Sequence, residues 1–99
     1  MLIFEWYSEK ERQNVEKHGI DLETVKKVFD DPFRIMQYDE AHSGLEDRWQ
    51  ILGMVDGVLF VVYTERGEKI RIITAREATP EERRLYYGES DNGNWFIDE

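Results

Sequence analysis

Tyr63-Thr64-Glu65-Arg66-Gly67-Glu68-Lys69-Ile70-Arg71-Ile72-Ile73-Thr74-Ala75-Arg76 is the stretch on which the fold turns. Lys69 and Arg71 alternate with Ile70 and Ile72, the period-2 pattern of a strand with one apolar face and one face left for chemistry. Arg66 stands in the preceding turn and Arg76 at the far end. Against Glu65 and Glu68 these four cations make the stretch basic, within a chain whose net charge is −9.

Just upstream, Asp56-Gly57 between two β-rich runs is the signature of a hairpin closed by a two-residue type I′ turn. That turn pairs Val55 with Val58 and sets Trp49, Ile51, Val55, Val58, Phe60 and Val62 on one face. A three-residue second loop, Glu65-Arg66-Gly67, brings Ile70 and Ile72 to the same face and leaves Arg48, Gln50, Tyr63, Lys69 and Arg71 on the other. A two-residue loop would bury Lys69 and Arg71, so the hydrophobic pattern favours the longer one. Arg76 then falls on the apolar side unless the strand ends or bulges near Ala75. The cationic face also carries Leu52, Met54, Leu59, Val61 and Ile73, more apolar surface than a lone domain leaves open, so a helix or a partner is expected to cover it.

Toward the N-terminus, residues 2–6 read as a short strand. Ser8 and Glu11 have capping-box spacing at the start of a helix that runs to His18, where Gly19 can adopt the left-handed conformation that ends it. That helix has only Val15 as an interior apolar residue, which places it at the surface. Asp21 caps a second helix with Leu22, Val25, Val28 and Phe29 at helical spacing, stopped by Asp30-Asp31-Pro32. Residues 33–38 suggest another strand and residues 39–47 a polar loop. Beyond the central strands, Thr79-Pro80-Glu81-Glu82 is a capping box with proline at the first helical position, and Gly88 ends that helix. The expected fold is α+β: an antiparallel sheet with two N-terminal helices on one face and a C-terminal helix, all within residues 1–88. Residues 89–99 form an acidic tail that holds Trp95, Phe96 and Ile97.

Ninety-nine residues suffice for one domain with one core. The chain has no cysteine, which removes disulfides, thiolate metal sites and cysteine nucleophiles. No apolar run reaches membrane length and the N-terminus lacks the pattern of a signal peptide, so a cytoplasmic protein with no membrane partner is expected. Net acidity argues against general nucleic-acid binding, which rests on cations neutralising phosphates. Residues 1–88 hold 18 acids and 13 bases, however, so a local basic site remains open on an acidic body.

Arg48, Arg66, Lys69, Arg71 and Arg76 together suit a phosphodiester, because guanidinium forks match phosphate oxygens and stabilise a pentacoordinate transition state. The competing reading is a solvated strand face whose charges deter edge pairing. Lys10, Asn14 and Lys17 or His18 fall on one stripe of the first helix. There His18 can move protons near neutral pH and the lysines can hold phosphate, although cations in a last turn also simply complement the helix dipole. Asp39-Glu40-x-His42 lies in a loop without a second ligand cluster, weak grounds for a metal. Nothing calls for an organic cofactor.

Two stretches resemble signatures of the BrnT family, toxins of type II toxin-antitoxin pairs. Phe4-Glu5-Trp6, Lys10, Asn14 and Lys17-His18-Gly19-Ile20 resemble the N-terminal one. Arg71-Ile72-Ile73-Thr74-Ala75-Arg76, followed by Ala78-Thr79 and Glu82-Arg83, resembles the C-terminal one. Phe29-Asp30-Asp31-Pro32 and the strand from Arg48 to Gly53 are similar to the middle. The resemblance implies a RelE-like fold, metal-independent ribonuclease activity that arrests translation, an RNA substrate, and a DNA-binding antitoxin in a hetero-oligomer. By the same analogy Arg48, Arg71 and Arg76 sit at the phosphate, Lys10 or His18 transfers protons, and Lys17, Arg66 and Lys69 help bind substrate. The rival function is a noncatalytic binding module, such as a corepressor of a DNA-binding protein. Arg76→Ala separates the two if, as expected here, it abolishes toxicity and spares the fold.

Overall fold

The structure, a computed structural model, describes residues 2–88; the acidic, aromatic segment 89–99 lies outside the described residues. In chain order the elements are β1 (Ile3–Glu5), α1 (Ser8–His18), α2 (Leu22–Asp30), β2 (Ile35–Tyr38), a 3-10 turn (Glu40–His42), β3 (Arg48–Met54), β4 (Val58–Arg66), β5 (Lys69–Glu77) and α3 (Pro80–Tyr86). The strands form one five-stranded sheet in the order β1-β5-β4-β3-β2. It is mixed and not purely antiparallel, because β1 runs parallel to β5, with Glu5 beside Arg71.

The first hairpin differs from the expected one by a single residue. Val55, Asp56 and Gly57 form a three-residue loop, only Asp56 of the last two takes a positive φ (57°), and Met54 pairs with Val58. A one-residue slip turns over every side chain of a strand. Consequently Leu59, Val61 and Tyr63, not Val58, Phe60 and Val62, join Trp49 and Ile51 on the face that packs against α2. The second hairpin has a loop one residue shorter than expected and set further along the chain: Arg66 pairs with Lys69 across the two-residue turn Gly67-Glu68, with Gly67 at φ +62°, a register displaced by an odd number of residues. The two differences compensate. Ile70 and Ile72 still lie with Ile51, while Arg48, Lys69 and Arg71 share the other face. Tyr63 is the exception: expected beside the cations, it is buried against Phe29, with ring centroids 5.0 Å apart.

A bulge interrupts β5 between the pairs Tyr63–Ile72 and Val62–Thr74. The extra residue, Ile73, reverses the parity of the residues after it. Arg76 therefore pairs with Phe60 and lies on the cationic side, and Ala75 goes to the helix side.

On one side of the sheet, Val25, Val28 and Phe29 of α2 pack with Trp6 and Ile20 over Ile51, Leu59, Val61, Tyr63, Ile70, Ile72 and Ala75. Full burial of each such apolar side chain is worth about 1.5–3 kcal/mol, and this contact holds α2 in place. On the other side Leu52, Val58, Phe60, Val62 and Ala78 form a second cluster, with Leu85 and Tyr86 of α3 packed against it.

Among the described residues, capping follows the sequence at α2 and α3. Asp21 accepts the Thr24 N–H, and Thr79 and Glu82 form the reciprocal box at α3. At α1 the residue in the cap position is Tyr7, with no side-chain cap, and Glu11 reaches instead to the Leu22 N–H at the start of α2 (2.8 Å). Its carboxylate joins the two helices. No helix among the described residues is long and apolar enough to cross a membrane.

Candidate functional site

The site is set by how α1 is held. β1 pairs only with Lys69, Ile70 and Arg71, so from Ile72 onward the outer edge of β5 has no strand beside it among the described residues. α1 lies there. Asn14, the one buried residue of α1, accepts the Ala75 N–H (3.3 Å) and lies 3.5 Å from the Thr74 hydroxyl. Its amide N–H donates to the Ile20 carbonyl at 3.0 Å. One asparagine thus takes the place of a neighbouring strand and also secures the chain that leaves α1.

Between α1 and that strand edge runs a groove of about 210 Å³, lined by Lys10, Gln13, Asn14, Lys17 and His18 from the helix and by Ile73 and Thr74 from the strand. Lys10 and Lys17 are exposed along it and His18 is half-buried. Burial is the largest influence that lowers the His18 pKa, and the charges of Lys17 and Arg76 lower it further while Glu77 opposes them. The imidazole is therefore held neutral to a lower pH than a free histidine. A neutral imidazole among cations can accept a proton from a hydroxyl drawn in beside them.

Arg76 is close enough to be felt by His18, but it is no loose cation. Its guanidinium donates to both oxygens of Glu82 (2.8 and 3.0 Å), to the Glu77 carbonyl (3.0 Å), and lies 4.0 Å above the centre of the Phe60 ring. Glu82 has no solvent exposure. The same carboxylate accepts the Thr79 N–H, so the cap of α3 and the orientation of Arg76 depend on one group. The sequence displayed Glu82 as a capping residue; its second role required knowing that β5 bulges.

Arg71 lies on the same face as Arg76, nearer β1. Its Nε donates to Glu5 at 3.0 Å and its guanidinium stands 4.8 Å from the centre of the Tyr7 ring. Arg48 occupies the same transverse row, opposite Thr64, which is in turn opposite Arg71. Two strand spacings put their Cα atoms about 10 Å apart.

The remaining predicted residues are not drawn into the groove. Lys69 lies 3.9 Å from Glu5, and Arg66 lies 3.9 Å from Glu46 at the far end of the hairpin. Asp39 and His42 bond each other at 3.1 Å within the 3-10 turn. Among the described residues no three His, Asp or Glu side chains converge as a metal site would require.

The family model described as ribonuclease toxin, BrnT, of type II toxin-antitoxin system matches residues 6–82. The chain belongs to the BrnT family. The matched span holds α1, the whole sheet after β1, and Glu82, so the groove and the Arg76 clamp both lie inside the BrnT unit. Among solved structures, the 1.1 Å crystal structure of the Brucella abortus ribonuclease toxin BrnT superposes with a TM-score of 0.63 at 23% identity, over 80% of this chain and 97% of that one. At that identity the likeness is one of fold. Comparison with curated proteins gives no match.

Proposed function

We propose that this BrnT-family chain is an endoribonuclease toxin with a RelE-like fold, acting in the cytoplasm, and that its groove between α1 and β5 is where RNA is cut. The observation that carries the proposal is His18: an imidazole kept neutral by burial and neighbouring cations, between Lys17 and the strand edge and with Lys10 on the same stripe. In this reading His18 takes the proton from a ribose 2′-hydroxyl, and the freed oxygen attacks the adjacent phosphorus. The bond from phosphorus to the 5′-oxygen breaks and Lys10 protonates the leaving oxygen. The products are a 2′,3′-cyclic phosphate and a 5′-hydroxyl. Arg71, Arg76 and Arg48 share the sheet face from which charge on the phosphate is countered, in the place a metal ion takes in other nucleases, and Lys17 holds a flanking phosphate. Residues 1–88 make the catalytic unit. The family's toxin-antitoxin designation supports restraint by an antitoxin; in this reading that antitoxin binds DNA and holds the toxin in a hetero-oligomer.

The test is expression of wild type and His18→Gln in a bacterial host, following growth and RNA integrity, then cleavage of a fluorogenic RNA by purified protein across pH. Wild type is expected to arrest growth and leave cyclic phosphate ends, with cleavage rising with pH along a limb centred below pH 6.5, and His18→Gln to lose about 10²–10⁴-fold, the usual worth of a general base. Intact RNA with wild type would sink the ribonuclease reading in favour of a noncatalytic binding module.

A further inference from the structure

Ahead of the groove's first lysine stands a side chain that the cleavage chemistry does not use. Where β1 passes into α1, Trp6 turns inward and is buried, and the next side chain, Tyr7, is turned out with 61% of its surface exposed. Tyr7 has extended backbone angles (φ −57°, ψ 129°) and makes no capping bond, so its phenol serves neither the core nor the helix start. One side of its ring carries the Arg71 guanidinium, at 4.8 Å. Arg71 is itself fixed by Glu5, which pairs beside it in the parallel ladder. Tyr7 is thus a large aromatic surface held from behind by a positioned cation. Lys10, the first lysine of the groove, stands three residues further along the helix, and residues three apart lie on the same helical face.

An exposed aromatic ring backed by a guanidinium and followed by a line of lysines is the arrangement by which proteins hold single-stranded nucleic acid. Bases stack on the ring while cations track the phosphates. We infer that Tyr7, braced by Arg71, is the stacking platform for a nucleobase flanking the phosphate bound in the groove between α1 and β5. This rests on the proposed ribonuclease reading and adds to it the site's hold on the base. Stacking accepts any base through its π-face, so Tyr7 supplies affinity and register while the cations supply the salt-dependent part of binding.

The test uses an uncleavable 2′-O-methyl oligoribonucleotide and the full chain, with circular dichroism verifying that every variant is folded. Tyr7→Ala is expected to weaken binding about 5- to 100-fold with an unchanged salt slope, and Tyr7→Phe to bind within about twofold of wild type. Lys10→Ala with Lys17→Ala is expected to reduce the salt slope by about two charges. An abasic nucleotide at the stacked position should cost the wild type the same factor as Tyr7→Ala and cost Tyr7→Ala nothing more. If Tyr7→Ala binds as wild type while the lysine pair weakens binding, the platform is wrong and the groove stands. If neither change alters binding, the groove itself is not an RNA site and the platform falls with it.

Discussion

Arg76 is a cation whose position says one thing and whose partners say another. By position it belongs with Arg71 and Arg48 on one face; by partners it is half of a largely buried ion pair, fixed on Phe60 and clasped by a carboxylate with no solvent exposure. Truncating one member of such a pair leaves the other charged and unpaired, at a cost of about 3–5 kcal/mol. Arg76→Ala should therefore be destabilised by roughly that amount in urea unfolding. Arg76→Met combined with Glu82→Gln, which keeps an acceptor for the Thr79 cap without the charge, should recover much of the loss. A single variant within about 1 kcal/mol of wild type would show the pair to be unimportant for folding. The ion pair with Glu82 thus argues against the sequence-based expectation that Arg76→Ala spares the fold, and makes His18→Gln the cleaner probe of chemistry. The sequence displayed the cations of the groove, because helical spacing sets Lys10, Asn14 and Lys17 or His18 on one stripe. It did not display which cations were already engaged: Glu82, Glu5 and Glu46 reach them from other elements.

The elements themselves were legible to within a residue or two, since caps and turn residues act locally. Asp21, Gly19, Thr79 with Glu82, and Asp31-Pro32 each mark the boundary their chemistry demands. The pairing between strands was harder, because both faces of β3 and β4 are apolar: Ile51 and Leu52, Val61 and Val62 are equally buried. Parity settles register only when the two faces differ. What is fixed on β3 itself is the close approach of α2 at Gly53, where a Cβ would meet Val28 Cγ1 at 2.7 Å and the Val28 carbonyl at 2.8 Å. α2 lies so close to β3 that only glycine fits. Gly53→Ala must push the helix outward and should cost about 1–3 kcal/mol, as overpacking does. Gly57, in the hairpin loop, has nothing within 4 Å of such a Cβ, so Gly57→Ala should change stability by no more than about 0.5 kcal/mol. Equal midpoints for the two variants in a denaturant titration would refute the close-packing account.

At the scale of the molecule, one carboxylate joins the two sides of the sheet. Asp31, just past the end of α2, accepts the Phe33 N–H (2.9 Å) ahead of β2, the Met54 N–H (2.7 Å) at the end of β3, and the phenol of Tyr86 on α3. Asp30-Asp31-Pro32 could be read as a helix stop; that its acid would meet a tyrosine 55 residues away could not. Burial tends to raise the Asp31 pKa, but the bonds from Tyr86, Phe33 and Met54, helped by the Arg34 charge, outweigh it and hold the carboxyl below its usual value. A depressed carboxyl pKa contributes stability above its unfolded value, near 4, that is lost as pH falls through the folded value. His18, also depressed, adds to the same loss, beginning below about pH 6.5. Tyr86 acts at the other limit: burial first, then the Asp31 bond and charge, push its pKa up to about 12. A raised phenol pKa contributes stability that is complete below its unfolded value, near 10, and is lost as pH rises through the folded one. Unfolding free energy measured in urea should therefore fall on both sides of a neutral plateau. Asp31→Asn should be less stable at pH 7 by about 1–3 kcal/mol, the cost of a weakened acceptor for buried donors, with a smaller further loss below pH 4. Tyr86→Phe should reduce the alkaline limb to the part left by Tyr63, whose pKa burial also pushes up to about 12, and keep much of the acid one, because the Phe33 and Met54 N–H groups still hold the carboxylate. Were Asp31→Asn to leave the acid limb unchanged, the link between the two sides of the sheet would have to be sought in the packing of Leu85 and Tyr86 alone.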